Sequence, residues 1–223
     1  MRVGVIQSNY LPWRGYFDFI KSVDLFVFHD DLQYTKNDWR NRNKIKTDKG
    51  TRWITVPVSY HKKDLLISET EICYNSNWAI KHFRILENYY RAAPFCNQML
   101  EIVSDLPTLK EKTISDLNIK LIRRVCKYLE IETRCILSST LHLKGSKTER
   151  LINLLHEVKA QTYVSGPAAL NYLDTSLFKK NGFNLEIKTY NYSTYPQLYG
   201  EFNGNLSILD GIANCGKDIL KYF

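Results

Sequence analysis

Short apolar runs that alternate with amphipathic stretches constrain this chain more than any other feature. Val3-Gly4-Val5-Ile6 and Leu25-Phe26-Val27-Phe28 are continuous in apolar residues, the character of strands buried on both faces. Further strands are expected at residues 134–137, 163–165 and 183–190, and a hairpin over residues 44–58 turning at Asp48-Lys49-Gly50. Between them lie helical patterns. Residues 15–22 read as one helix. Residues 77–93 read as another, with Asn77 as its cap, Ala79, Phe83, Leu86 and Tyr90 on one stripe, and Pro94 as its stop. A third, over residues 109–129, aligns Ile114, Leu117, Leu121, Val125 and Leu129. Ser146-Lys147-Thr148-Glu149 has the form of a capping box opening the next helix, residues 167–173 read as a short one, and Ser207 opens the last, over residues 207–215. The alternation predicts an α/β protein: a mostly parallel sheet with helices on both faces and a doubly wound core. No linker or repeat divides residues 1–223, so a single domain is expected, with residues 77–129 as a helical insertion or cap.

Charge narrows the partners. Lys and Arg number 31 against 23 Asp and Glu, a formal charge of +8 in 223 residues, which favours anionic ligands. The five cysteines form no C-x-x-C pair, which argues against zinc ribbons and secreted disulfide frameworks and for a reduced, cytoplasmic setting. Met1-Arg2 leads directly into a strand rather than a signal peptide. No apolar run approaches the roughly 20 residues of a membrane span, so no membrane insertion is expected. The histidines have no H-E-x-x-H spacing, and no dedicated metal site is expected. G-x-S-x-G and G-x-G-x-x-G are also absent.

Ligands of open parallel sheets gather beyond the carboxyl ends of the strands, so the loops that follow each strand carry the candidate chemistry. Gln7 and Tyr10 follow the first strand. Asp30 and Asp31 follow the second, where one carboxylate can accept a proton or both can hold Mg²⁺ on a phosphate, with Gln33 close behind. In the stretch Asp38-Trp39-Arg40-Asn41-Arg42-Asn43-Lys44, an extended backbone sets the cations on one side and Asn41 and Asn43 on the other. Arg42 can grip phosphate and Trp39 can stack on a ring. Nucleic acid binding would use the same residue types, but the remaining basic charge is scattered among acids and no nucleic-acid motif is present. Ser138 follows a middle strand, and Ser146 and Lys147 stand at a helix start where free N–H groups favour phosphate. Ser165 and Gly166 follow the next strand. His82, in the helix over residues 77–93, is a second candidate proton acceptor beside Asp30, although a lone helical histidine is also a common core residue.

The run Gln7-Ser8-Asn9-Tyr10-Leu11-Pro12-Trp13-Arg14-Gly15-Tyr16, with Asp30-Asp31-Leu32-Gln33, Trp39-Arg40-Asn41-Arg42-Asn43, Lys81-His82, Ser138-Ser139, Lys147-Thr148-Glu149-Arg150, Tyr163-Val164-Ser165-Gly166 and Tyr195-Pro196-Gln197, resembles the WbqC-like protein family over essentially the whole chain. That resemblance implies a transferase of O-antigen and lipopolysaccharide biosynthesis. The implied reaction is formation of an amide, with an acyl or aminoacyl (glycine-type) group, on a nucleotide-linked amino sugar. No tightly bound cofactor is implied; the acyl donor would be a thioester or an activated amino acid, and a homodimer is compatible with it. Ser8, His29 and Gly211 depart from the family pattern, His29 standing where tyrosine is common. The order strand, Pro12-Trp13-Arg14-Gly15-Tyr16 turn and helix, with Lys144-Gly145-Ser146-Lys147-Thr148 later, also looks like the nucleotidylyltransferase fold, but Trp13 and Tyr16 replace its signature histidines. That likeness implies an alternative, Mg²⁺-dependent activation of a small acid or sugar phosphate. A sugar-nucleotide or RNA binding module without turnover is a third reading.

Overall fold

The computed structural model describes every residue except Lys63 and Tyr172, and every other side chain except those of Leu170 and Asn171. Five parallel strands, β1 (Arg2–Ile6), β2 (Leu25–Phe28), β5 (Arg134–Leu137), β6 (Thr162–Ser165) and β7 (Asn184–Ile187), form one sheet in the order β5-β2-β1-β6-β7. The hairpin β3 (Arg42–Thr47) and β4 (Gly50–Thr55) pairs only with itself, its turn at Asp48-Lys49. Helix α1 (Arg14–Lys21) links β1 to β2; α5 (Lys147–Glu157) links β5 to β6; α6 (Thr175–Lys180) links β6 to β7. Helices α2 (Trp78–Tyr90), α3 (Cys96–Ile102) and α4 (Ile114–Tyr128) follow the hairpin, and α7 (Ile208–Cys215) closes the fold.

The pleat of β2 shows why the sheet is covered on both sides. Phe26 and Phe28 enter the larger core with Phe17, Phe19, Leu121 and Ile212, whereas Leu25 and Val27 join Val3, Leu154, Tyr163 and Phe178 on the other face. On that second face, Tyr163 stacks on Phe178 with centroids 5.5 Å apart. The close approach of α1 requires Gly4, because a Cβ there would overlap the Phe19 ring.

The anticipated insertion is wider than residues 77–129: everything from the hairpin to α4 is inserted between the adjacent strands β2 and β5. The expected helix over residues 109–129 begins later, at Ile114, because Thr113 accepts a hydrogen bond from the Asp116 amide and caps it there. Ser146 was expected to close a capping box, but its side chain caps nothing, and neither does that of Asn77. No helix among the described residues is long and apolar enough to cross a membrane.

The order places a topological switch between β1 and β6. From β1 the chain winds outward through β2 to β5, then returns across the sheet to β6 and β7. The loops leaving β1 and β6 therefore part in opposite directions and open a crevice at the carboxyl edge.

Candidate functional site

A cavity of about 700 Å³ occupies this crevice. Gln7, just past β1, and Ser165 and Gly166 at the end of β6 line it, with His29 and Leu32 from the loop after β2. Lys147, Thr148 and Arg150 from the first turn of α5 line it too, and Leu151, Ala168, Ala169 and Leu173 make part of the lining apolar. Because Ser146 makes no side-chain cap, the first amides of α5 have neither a capping oxygen nor an intrahelical acceptor, and the first helical bond runs from the Arg150 amide to the Ser146 carbonyl. Lys147 itself is left-handed at φ 49°, following Gly145 at φ 83°. A non-glycine residue held there costs about 1 kcal/mol, a strain that recurs where backbone is shaped around a ligand.

The paired aspartates have separate duties. Asp30 is buried, and its carboxylate accepts hydrogen bonds from the Ser139 amide at 3.0 Å, the Ser139 hydroxyl at 2.7 Å and the Ser138 hydroxyl at 3.1 Å. It ties the end of β2 to the turn after β5 and is not among the residues lining the cavity. Asp31 shares the single Ser138 hydroxyl proton with Asp30 and accepts from the Arg150 guanidinium, while a second Arg150 nitrogen donates to the Leu143 carbonyl at 2.6 Å. Arg150 is thus held at the cavity with its Nε buried and without a hydrogen-bond partner among the described residues.

His29 faces the crevice. Its Nε2 is buried, lies 3.7 Å from Asp31 Oδ1, beyond hydrogen-bond reach, and has no hydrogen-bond partner among the described residues. Burial chiefly, with the Arg150 cation, holds the imidazole below its usual 6.5 against the opposing pull of Asp31 and Asp30. At neutral pH it is an uncharged base.

Of the residues singled out from sequence, Gln7, Lys147, Ser165 and Gly166 line one cavity; Ser146 adjoins Lys147, and Asp31 and Ser138 reach the cavity through Arg150. The tryptophan-arginine-asparagine stretch lies elsewhere. Trp39 and Asn43 line a second cavity of about 410 Å³, and Arg42 donates to the Asn37 carbonyl. Asn43 Nδ2 donates to the carbonyls of Leu11 at 2.7 Å and Tyr10 at 3.2 Å, and Asn41 Nδ2 to that of Val56 at 2.8 Å, so both amides fasten loops. Gln33 approaches Asp64 at 3.5 Å. His29, Thr148 and Arg150 were not among the sequence candidates. The alternation of the strand into its loop, which turns His29 and Asp30 to different sides, is the signal that could have found His29.

His82 is a core residue: 5% exposed, packed edge-on against Trp78, its Nδ1 at 3.0 Å from the Tyr10 hydroxyl. Burial, aided by Arg52, lowers it to about 4. The unfolded chain takes up this proton below pH 6.5 and the folded protein only near 4, so its contribution is intact above pH 6.5 and lost between those values. The loss amounts to about 3 kcal/mol. His82→Gln, which keeps an acceptor for Tyr10, should flatten that limb in urea titrations across this pH range; an unchanged difference between pH 7 and 4 would show that His82 does not report it. Among the described residues no group of three or more His, Cys, Asp or Glu side chains is placed to hold a metal ion.

A five-stranded parallel sheet flanked by helices, with a cavity at the carboxyl edge of its switch point, defines the class: an α/β protein. The chain belongs to the WbqC-like protein family, whose family model matches residues 7–222. It is 43% identical over 227 aligned positions to the uncharacterized protein Rv1507c of Mycobacterium tuberculosis, covering 99% of this chain and 96% of that one. No solved structure matches it.

Proposed function

We propose that the crevice binds a nucleotide-linked amino sugar and that the protein transfers an acyl or aminoacyl group to its amine, in the making of surface polysaccharide such as O-antigen. One observation carries the reading: the uncharged imidazole of His29, whose buried Nε2 has no hydrogen-bond partner among the described residues, lines one cavity with Lys147, Arg150 and the open start of α5. The amides and cations suit a diphosphate. The imidazole suits the amine. As the nitrogen attacks the carbonyl of a thioester or an activated amino acid, a C–N bond forms, the C–S or C–O bond to the leaving group breaks, and His29 Nε2 takes the proton that the nitrogen sheds. Asp31 and Asp30 act as positioning residues, the first holding Arg150 and the second fixing the β2 and β5 loops.

A thermal-shift series tests the binding half. Uridine or deoxythymidine diphosphate sugars should raise the melting temperature, because a ligand of the native state alone stabilises it. Lys147→Ala should remove most of that rise. Absence of any shift with either nucleotide series would reject the phosphate site, and release of pyrophosphate from a nucleoside triphosphate with Mg²⁺ would favour nucleotidylyl transfer instead.

A further inference from the structure

A second ligand surface stands apart from the crevice. Trp39 and Trp53 each leave 41% of their surface exposed, with ring centroids 5.4 Å apart and planes tilted by 39°. Indoles left in water forgo burial energy, so an exposed pair is informative where other polar groups converge on it. The register Lys44↔Trp53 and Arg42↔Thr55 puts Arg42, Lys44 and Trp53 on the outer face of the hairpin. The Arg42 guanidinium lies 4.3 Å and the Lys44 ammonium 4.9 Å from the centre of the Trp53 ring. Asp38, the nearby acid, pairs with Arg40 at 3.4 Å, and neither Arg42 nor Lys44 has an ion-pair partner among the described residues.

Beside Trp39 opens the cavity of about 410 Å³, lined by Asn9, Asn43, Asn205, Lys44 and Trp13. Asn9 Oδ1 accepts from Arg40 at 3.2 Å, which leaves its amide nitrogen as a donor without a partner among the described residues. An aromatic face, the amide donors of Asn9 and Asn205 and an unpaired cation in one concavity complement a pyranose: its C–H face lies on indole, its hydroxyls meet amides, and a carboxylate meets the cation. We propose that this surface binds an acidic saccharide, a sugar ring carrying a carboxylate, at a site separate from the crevice. A single-stranded nucleic acid is favoured less, because the same face adds only Thr51, Thr55 and Lys46, and Lys46 is buried with its ammonium donating to Gln197 Oε1 and the Glu201 carbonyl, so no run of free cations is left for a phosphate chain to track. None of these residues lines the crevice, and the proposal stands whether or not the crevice binds phosphate.

The test is a titration of the full chain, followed by tryptophan fluorescence at low salt, with digalacturonate and with the glucuronate-containing disaccharide of hyaluronan. At least one should give a saturable change that weakens as salt is raised. Trp39→Ala, which loses the stacking face, and Lys44→Gln, which keeps both rings, should each weaken it roughly tenfold, and cellobiose, of similar size without charge, should bind more weakly by a like factor. The proposal fails if neither acidic disaccharide saturates, if Trp39→Ala binds as well as the parent, or if a uridine oligonucleotide binds more tightly than both, which would give this face to single-stranded nucleic acid.

Discussion

His29→Gln should reduce turnover by about 10²–10⁴-fold while nucleotide-sugar binding changes little, since a carboxamide fills the imidazole's place but takes up no proton. The pH profile adds a second signature. His29 is held below 6.5, so the parent's rate should be level at neutrality and fall on the acid side below that value, and the variant should lack this limb. Turnover equal to the parent's would remove His29 from the chemistry. An equal loss of binding and turnover would make it a packing residue of the crevice.

The largest loss of stability should follow Asp210→Ala. Asp210, in the first turn of α7, is fully buried and accepts from Tyr90 at 2.9 Å, Tyr195 at 2.8 Å and Gln197 at 2.6 Å. Burial raises its carboxyl above the ordinary range, opposed by these donors and by Lys46. Removing the carboxylate strands the hydroxyls of two buried tyrosines, while Gln197 keeps the Asn203 carbonyl as an acceptor, which is expected to cost about 3–5 kcal/mol, or a few hundredfold to a few thousandfold in the folding equilibrium. Urea unfolding of the variant should show a lower midpoint with the same slope. A loss under about 1 kcal/mol would mean that the network relaxes around the gap or that water replaces the carboxylate.

Sequence carried the parts of this fold that depend on local pattern. Val3-Gly4-Val5-Ile6, Leu25-Phe26-Val27-Phe28 and the stripe from Ile114 to Leu129 are regular enough to read directly, and all become buried core apart from half-buried Ile6 and the small Gly4. Helices α3 and α6 were not legible, because seven and six residues are too few to express a helical period. The same division runs through the site. Lys147 at a helix start is a local feature, and the structure puts it on the crevice. Which cavity the tryptophan-arginine-asparagine stretch reaches depends on where a long excursion folds back. That is set by contacts such as Asn43 to the Leu11 carbonyl and Asn118 to the Arg40 carbonyl at 2.8 Å, which no local pattern announces. The roles of Asp30 and His29 likewise turn on side-chain direction at the end of a strand.

The excursion leaves the sheet after β2 and rejoins it at β5, and these two strands are neighbours, paired Phe28↔Leu137. Its two ends nevertheless lie at opposite edges of the sheet, because Phe28 closes β2 at the carboxyl edge whereas Arg134 opens β5 beside Leu25 at the amino edge, so the excursion is one long crossover between neighbouring parallel strands. A chain arranged so can revise the hairpin and its tryptophans while the crossing that shapes the crevice keeps its form. Relatives could thus come to differ in what they hold at one place while sharing a reaction at the other.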